Sequence, residues 1–497
     1  MDQNTPSTPS LRRAVVDLGS NSVRLVIYEG ELRNPIQIFN EKAVLRLAKG
    51  MTSTGRLQDD LLAQAETVLY RYANIATAMG ATHVDVLATS AVRDAQNGPA
   101  FVQAIRQRLP KLHVAILSGE EEAILSAEGV LCGIPGANGI LADLGGGSLE
   151  LVQLNHGKPG LAATLPVGVI RLAERAGEDI TRARAIMNEE LGTVPFIGEA
   201  AGKDLYLSGG AFRALARIHI MQTGYPLNIV HHYTINREEA RDLAGVVSEG
   251  GRKLVERMPG VPKRRIEDVP YAAVILRRLL RATNAARVVF SANGLREGWF
   301  CRLLPPAIRA EDPLVAASRD LTRGVVRDSR LPQALIAWTA PLFADESPAQ
   351  KRLRQAACWL SDVGCYEHPE YRAEQAFMRV LRQAGMSLDH HARAFLAMTI
   401  GVRYEALTDA SFLAPARALL DMQATKRAET LGTALRLAYT LSAGTPPLLA
   451  GTDLTLSADK LTLRLAAANG VFAGEAVLRR LDRLALMLGR EAETLIT

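Results

Sequence analysis

Two stretches of alternating apolar character set the first outline of the chain. AVVDLGSNSVRLVIYEGE (residues 14–31) and ILADLGGGSLELVQLNHG (residues 140–157) each place aliphatic runs on either side of a short Gly- and Ser-bearing turn. This is the pattern of a strand, a tight turn and a second strand. Aligning Asp17 with Asp143 also aligns Gly19 with Gly145, Ser22 with Ser148 and Val26 with Val152, at a constant offset of 126 residues. A repeat of that length predicts two similar lobes rather than a solenoid, whose period is roughly 20–50 residues.

Between the hairpins the apolar period changes. Leu61, Leu62, Ala65, Val68, Leu69 and Tyr72 predict a helix over residues 57–79. A strand is expected over 83–89, a helix over 100–109 and a strand over 112–117, feeding the turn Ser118-Gly119. The second copy continues to strand-like stretches that run into 205–210 and 287–294. Alternating strands and helices indicate α/β lobes. Beyond Pro305-Pro306 the pattern is almost wholly helical, from about 312 to 443. A strand pair (452–456, 461–465) and a helix over 474–488 then follow. The expected organisation is a disordered tail (1–11), a first lobe (12–132), a second lobe (133–305), a helical domain (306–445) and a small α/β piece (446–497).

Composition narrows the class. A chain of 497 residues exceeds what one core usually organises, and 48% hydrophobic with 22% charged residues excludes wholesale disorder. Lysine and arginine exceed aspartate and glutamate by 58 to 52, and arginine outnumbers lysine. That excess fits a phosphate-bearing partner, because a guanidinium matches phosphate oxygens bidentately; it fits an arginine-rich proteome equally well. The four cysteines form no CxxC pair, so reduced thiols are expected rather than a zinc ribbon or a disulfide framework. The polar start MDQNTPSTPS lacks the apolar stretch of a signal peptide, and no apolar run reaches membrane-spanning length. A cytoplasmic protein without a membrane partner is expected, and no RNA- or DNA-binding motif is present.

The turns carry the candidate chemistry. In Gly19-Ser20-Asn21-Ser22 and Gly145-Gly146-Gly147-Ser148, small residues let consecutive backbone N–H groups converge on an anion. Asp17 and Asp143, at the strand ends, face the same crevice and suit a hydrated Mg²⁺ beside phosphate. Two such turns facing each other make a phosphate clamp between lobes. Ser208-Gly209-Gly210 precedes a helix, and so does Ser291–Gly294; each is an anion site at a helix N-terminus or an ordinary strand-to-helix turn. In Glu120-Glu121-Glu122, helical geometry turns successive side chains by about 100°, so one faces the crevice while acidic neighbours complement the helix N-terminus.

The ordered set DLGSNS, TSAVRDA, SGEEEA, DLGGGSLE, SGG and GLREG resembles the exopolyphosphatase and guanosine pentaphosphate phosphohydrolase family over roughly residues 14–300. The resemblance implies two ribonuclease-H-like lobes of the superfold shared by actin and sugar kinases, followed by a helical domain similar to HD hydrolases. It further implies hydrolysis of a terminal phosphoanhydride with Mg²⁺, with a monovalent cation such as K⁺ as a second candidate. Residue by residue, it points to Glu122 as general base, to Asp143 and Glu150 as metal-associated carboxylates, and to Arg93 as the arginine meeting the phosphoryl group. Relatives are commonly homodimers.

The helical region departs from the family pattern. Ser361-Asp362 stands where relatives show a His-Glu or His-Asp pair, and the segment after His368 lacks further histidines. A second metal centre is therefore not expected, and His390-His391 read as exposed helix histidines. Lys263, Arg264 and Arg265, or Arg277, Arg278 and Arg281, are candidates for a cationic path along a long substrate, or else solvated helix faces. The expected function is exopolyphosphatase. Hydrolysis of guanosine pentaphosphate, with the tetraphosphate as a related partner, is the nearest alternative. A non-catalytic actin-like nucleotide-binding regulator and a kinase follow.

Overall fold

The computed structural model describes residues 11–177 and 179–497, so the expected tail falls, apart from Leu11, outside the described residues. The chain divides into two compact units, one ending at Ala310 and one running from Glu311 to Thr497.

The first unit contains two sheets of one design. Strands β1 (Arg12–Leu18), β2 (Ser22–Glu29), β3 (Ile36–Val44), β4 (His83–Ala88) and β5 (Leu112–Ile116) lie in the order β3-β2-β1-β4-β5. The first three pair antiparallel, and β4 and β5 run parallel to β1. Strands β6 (Gly139–Leu144), β7 (Leu149–Asn155), β8 (Lys158–Leu165), β9 (Asp204–Ser208), β10 (Tyr233–Asn236) and β11 (Arg287–Phe290) lie in the order β10-β11-β9-β6-β7-β8. The antiparallel β6-β7-β8 meander followed by parallel β9 and β11 repeats the first sheet, with β10 added as an antiparallel edge. Both lobes are thus ribonuclease-H-like. The repeat extends to register: Asp17 stands opposite Arg24 as Asp143 stands opposite Glu150, and Gly19 N–H bonds Ser22 O as Gly145 N–H bonds Ser148 O.

Each lobe has its own core on one sheet face, while the facing cores are built by exchanged helices. The helix Gly119–Gly133 follows the first sheet in sequence but packs Ala123, Ala127 and Val130 against Leu141, Val152 and Tyr206 of the second. The helix Leu295–Arg302 follows the second sheet and packs Leu295, Phe300 and Cys301 against Val15, Val26 and Tyr28 of the first. The two helices cross in near contact at glycines. A Cβ on Gly298 would stand 1.9 Å from Leu125 O, and one on Gly129 would stand 1.9 Å from Gly294 O. The linear division at residue 132 therefore does not follow the packing, because each lobe borrows a helix from the other half of the sequence.

In the second unit, helices from Pro313–Thr322 to Met422–Ser442 precede β12 (Thr452–Leu456), β13 (Lys460–Leu465), the helix Glu475–Leu488 and β14 (Glu491–Ile496). The strands form one sheet in the order β12-β13-β14. Trp338 Nε1 donates to Thr452 Oγ1 at 3.0 Å, so the strand-bearing segment is part of the helical unit rather than a separate piece. Contrary to the sequence expectation, His390 is buried; only His391 is exposed, because the helix His390–Arg403 turns position 390 inward with Ala394 and Ala397. Asp362 is 1% exposed and ion-paired to Arg327 at 3.1 Å, while Ser361 Oγ meets Tyr439 OH.

Candidate active site

The two hairpin turns meet at one cavity of about 280 Å³ within the first unit. Asp17, Gly19, Ser20, Asn21 and Ser22 line it from the first lobe, and Asp143, Gly145, Gly146, Glu150, Ser208, Gly209 and Gly210 from the second. The turns touch: a Cβ on Gly147 would stand 2.8 Å from both Ser20 Oγ and Ser90 Oγ. Gly147 and Ser148 therefore pack behind the wall, and Ser148 is buried. The carbonyls of the turns are engaged, Asn21 O by Leu45 and Arg46 N–H and Gly146 O by Ile170 and Arg171 N–H. Among the described residues, the N–H groups of Ser20, Asn21 and Gly146, all on the cavity wall, have no hydrogen-bond partner. That is the donor arrangement an anion requires. Gly209 sits at φ 101° with the place of a Cβ 2.3 Å from Leu144 O, so only glycine brings that backbone to the site.

Sheet register gives the two walls opposite charge. Across β1, β2 and β3 runs Asp17, Arg24, Lys42; across β6, β7 and β8 runs Asp143, Glu150, Thr164. Arg24 beside Lys42, and Asp143 beside Glu150, are like charges directly opposite on neighbouring strands, an arrangement that destabilises the empty sheet. Arg213, Arg217, Arg264, Arg265 and Arg296 line the same cavity and make it cationic overall. Burial and then the neighbouring Arg265 and Arg24 lower Lys42 to about 8, and burial and Arg296 lower Arg213 to about 10.

Within the acidic triplet the three glutamates separate by role. Ser118 caps the helix Gly119–Gly133 by accepting from Glu121 N–H, and the Glu121 carboxylate accepts from Ser118 N–H at 2.8 Å. Glu120 is exposed. Glu122 is 8% exposed and faces the cavity. One turn on, Ser126 donates to Asp143 Oδ2. Burial pushes Glu122 up to about 7 against the pull of Arg93, whose Nη1 donates to Glu122 Oε2 at 2.7 Å. Arg93 also donates to Leu117 O and Asp94, and stands behind Glu122 rather than on the cavity wall.

Burial is also the main cause that raises Asp17, Asp143 and Glu150 above the ordinary carboxylate range; Arg296 opposes it at Asp17, and Glu122 and Asp143 reinforce it at Glu150. Glu150 is 2% exposed, and its Oε1 has no hydrogen-bond partner. An orphaned carboxylate oxygen beside a second crowded carboxylate fits a divalent cation. Among the described residues no group of three or more ligands forms a ready cage. That suits Mg²⁺, which is held by one or two carboxylates with waters and substrate phosphates.

The structure therefore gathers the sequence-selected residues at one place, with Arg93, Gly147 and Ser148 just behind it. Arg264 and Arg265 join the cavity; Arg277 instead pairs with Glu249 at the surface. Arg24, Lys42, Arg213, Arg217 and Ser126 were not singled out. Arg24 was within reach of sequence reasoning, since the repeat aligns it with Glu150; Lys42 depends on the pairing of β2 with β3.

Residues 25–307 match the Ppx/GppA phosphatase family, and residues 314–495 match the exopolyphosphatase C-terminal family. Exopolyphosphatase 2 of Mycobacterium tuberculosis is 29% identical over 298 residues, covering 54% of this chain and 90% of that protein. Retrograde regulation protein 2 of Saccharomyces cerevisiae is 26% identical over 433 residues, covering 78% of this chain and 72% of that one. An exopolyphosphatase structure from Cytophaga hutchinsonii shares the fold at a TM-score of 0.53 and 23% identity, over 59% of this chain and 97% of its own. A Ppx/GppA structure from Aquifex aeolicus does so at 0.51 and 24%, over 60% and 98%. With a family match over more than half its length, which takes in the second turn and the Glu122 helix, the chain belongs to the Ppx/GppA phosphatase family.

Proposed function

We propose that this protein is an Mg²⁺-dependent exopolyphosphatase, hydrolysing the terminal phosphoanhydride of inorganic polyphosphate to release orthophosphate. The observation that carries this reading is a single cavity lined by the buried Glu122 and by seven cationic side chains. Phosphoryl transfer depends on positioning and charge neutralisation more than on covalent chemistry. The N–H groups of the two turns hold the terminal phosphoryl oxygens. Arg296 and Arg213 draw charge from that end, and Arg24, Lys42, Arg264 and Arg265 hold the phosphates behind it. Glu122 orients a water and takes its proton, a task suited to a base near pH 7. Arg93 fixes the Glu122 carboxylate. Asp143 and Glu150 hold Mg²⁺, which supplies neutralisation of phosphate charge when bound.

No aromatic side chain lines the cavity among the described residues, so a guanine base has no stacking platform there. This favours inorganic polyphosphate over guanosine pentaphosphate. The test is orthophosphate release from long polyphosphate and from guanosine pentaphosphate, with Mg²⁺ and with chelator. Release from polyphosphate that chelator abolishes supports the proposal. Release from the nucleotide alone makes the protein a guanosine pentaphosphate phosphohydrolase. Tight binding of either without turnover makes it a regulator, the reading suggested by the name of the yeast relative.

A further inference from the structure

The hydrolytic chemistry leaves one nucleophilic pair unused. Cys132 lies near the end of the helix Gly119–Gly133 and Cys301 near the end of the helix Leu295–Arg302, the two helices exchanged between lobes. Both side chains are buried, and the Cys301 thiol donates to the Cys132 sulfur at 2.7 Å. Arg33, itself buried in the β2–β3 connection, brings Nη1 to 3.2 Å from the same sulfur. A guanidinium against a thiol favours the thiolate, which is the reactive form. The Cys301 hydrogen bond, with the Arg33 charge, holds Cys132 below the ordinary thiol range despite burial, while the same bond raises Cys301. One thiol is thus set as nucleophile and its neighbour as resolving partner.

We propose that Cys132 and Cys301 are an oxidisable dithiol, closed to a disulfide by a peroxide, and that the bond locks the interlobe helix crossing and slows turnover. In the first step the Cys132 thiolate attacks a peroxide oxygen. An S–O bond forms, the O–O bond breaks, and the departing hydroxide takes up a proton as water. The Cys301 sulfur then attacks the sulfenic sulfur. The S–S bond forms, the S–O bond breaks, and the hydroxide leaves as water with the Cys301 proton. Two thiols are oxidised and one hydrogen peroxide becomes two waters. A dithiol reductant reverses the bond by exchange. The bond would tie the helix that carries Glu122 to the helix that carries Arg296, close to the Gly129–Gly298 crossing of the two helices.

The effect on turnover rests on the hydrolase reading, whereas formation of the bond does not. The full-length reduced protein is exposed to hydrogen peroxide, alkylated and mapped without reduction. The expected product is a cross-linked peptide pair carrying Cys132 and Cys301, lighter by two hydrogens and separated again by dithiothreitol. Orthophosphate release from polyphosphate is expected to fall on the order of tenfold and to recover on reduction, because lobe motion gates turnover. The Cys301→Ser protein is expected to keep its turnover through the same exposure. Recovery of both wild-type thiols in alkylated form, or over-oxidation of Cys132 without a cross-link, overturns the dithiol. A cross-link with unchanged turnover overturns the lock. A reduced protein inactive on polyphosphate counts against the hydrolase reading, and the peptide map still decides the bond.

Discussion

Burial raises Glu122 to about 7 and lowers Lys42 to about 8, and with the roles proposed for them this gives the site a pH response. Glu122, at about 7 in the free protein, must be ionised to act as a base; Lys42, at about 8, must be protonated to hold phosphate. The kcat/KM profile on polyphosphate is therefore expected to be a narrow bell, rising through about 7 and falling through about 8. Lys42→Arg should remove the alkaline limb and leave the acid limb in place. Glu122→Gln should lower kcat by roughly 10²–10⁴-fold with an unchanged circular dichroism spectrum. Arg24→Gln removes a cation from the phosphate row and should cost roughly 10–100-fold in kcat/KM, the size of a lost charged hydrogen bond. Wild-type turnover in Glu122→Gln would take that residue out of the mechanism.

At the scale of elements, the exchanged helices decide how the lobes face one another. Gly298 packs on the backbone of the neighbouring helix, and an added methyl would stand 1.9 Å from Leu125 O. Gly298→Ala is expected to destabilise the first unit by about 3 kcal/mol in urea denaturation, the upper end for overpacking, because backbone rather than a flexible side chain must move. The facing hairpins carry the opposite kind of cost. Glu122 is raised from 4.5 to about 7 in the fold, so the unfolded chain releases its proton first as pH rises. Glu122 should make stability without ligand fall between about pH 4.5 and 7, and Glu122→Gln should lessen that slope. Asp17, Asp143 and Glu150 are raised as well and act in the same direction. Mg²⁺ should raise Tm more at pH 8 than at pH 5, as read by calorimetry.

For the whole molecule, the division at Ala310 leaves the two-turn cavity wholly in the first unit, since every residue lining it precedes that point. A fragment ending at Ala310 is expected to fold cooperatively and to retain Glu122-dependent, chelator-sensitive release of orthophosphate. Loss of turnover in a folded fragment would show that the second unit takes part in the reaction. The second unit has a cavity of its own, about 330 Å³, lined by Arg436, Arg479, Arg480, Arg483 and Glu405, with Arg436 and Arg480 paired to Glu405. The buried Asp362, ion-paired to the exposed Arg327, stands at the place where the sequence departs from the metal-binding pattern. There the departure is filled by an ion pair.

The hairpins, their shared turn and the α/β alternation were legible because they are local: aliphatic and β-branched runs on either side of a run of small residues dictate a strand, a turn and a strand. The 126-residue repeat carried the further information that the turn occurs twice. Strands β3 and β14 were not read from sequence; both are edge strands with weak apolar alternation, so pairing and not local preference makes them strands. Nor could sequence order show that the Glu122 helix packs on the second sheet and the Arg296 helix on the first. Sequence alone determined the two small-residue turns and the carboxylates that stand beside them. The tertiary structure decided their company, setting Arg24 beside Lys42 and Asp143 beside Glu150, because charge density in a cavity depends on strand register and burial, and neither is a property of neighbours along the chain.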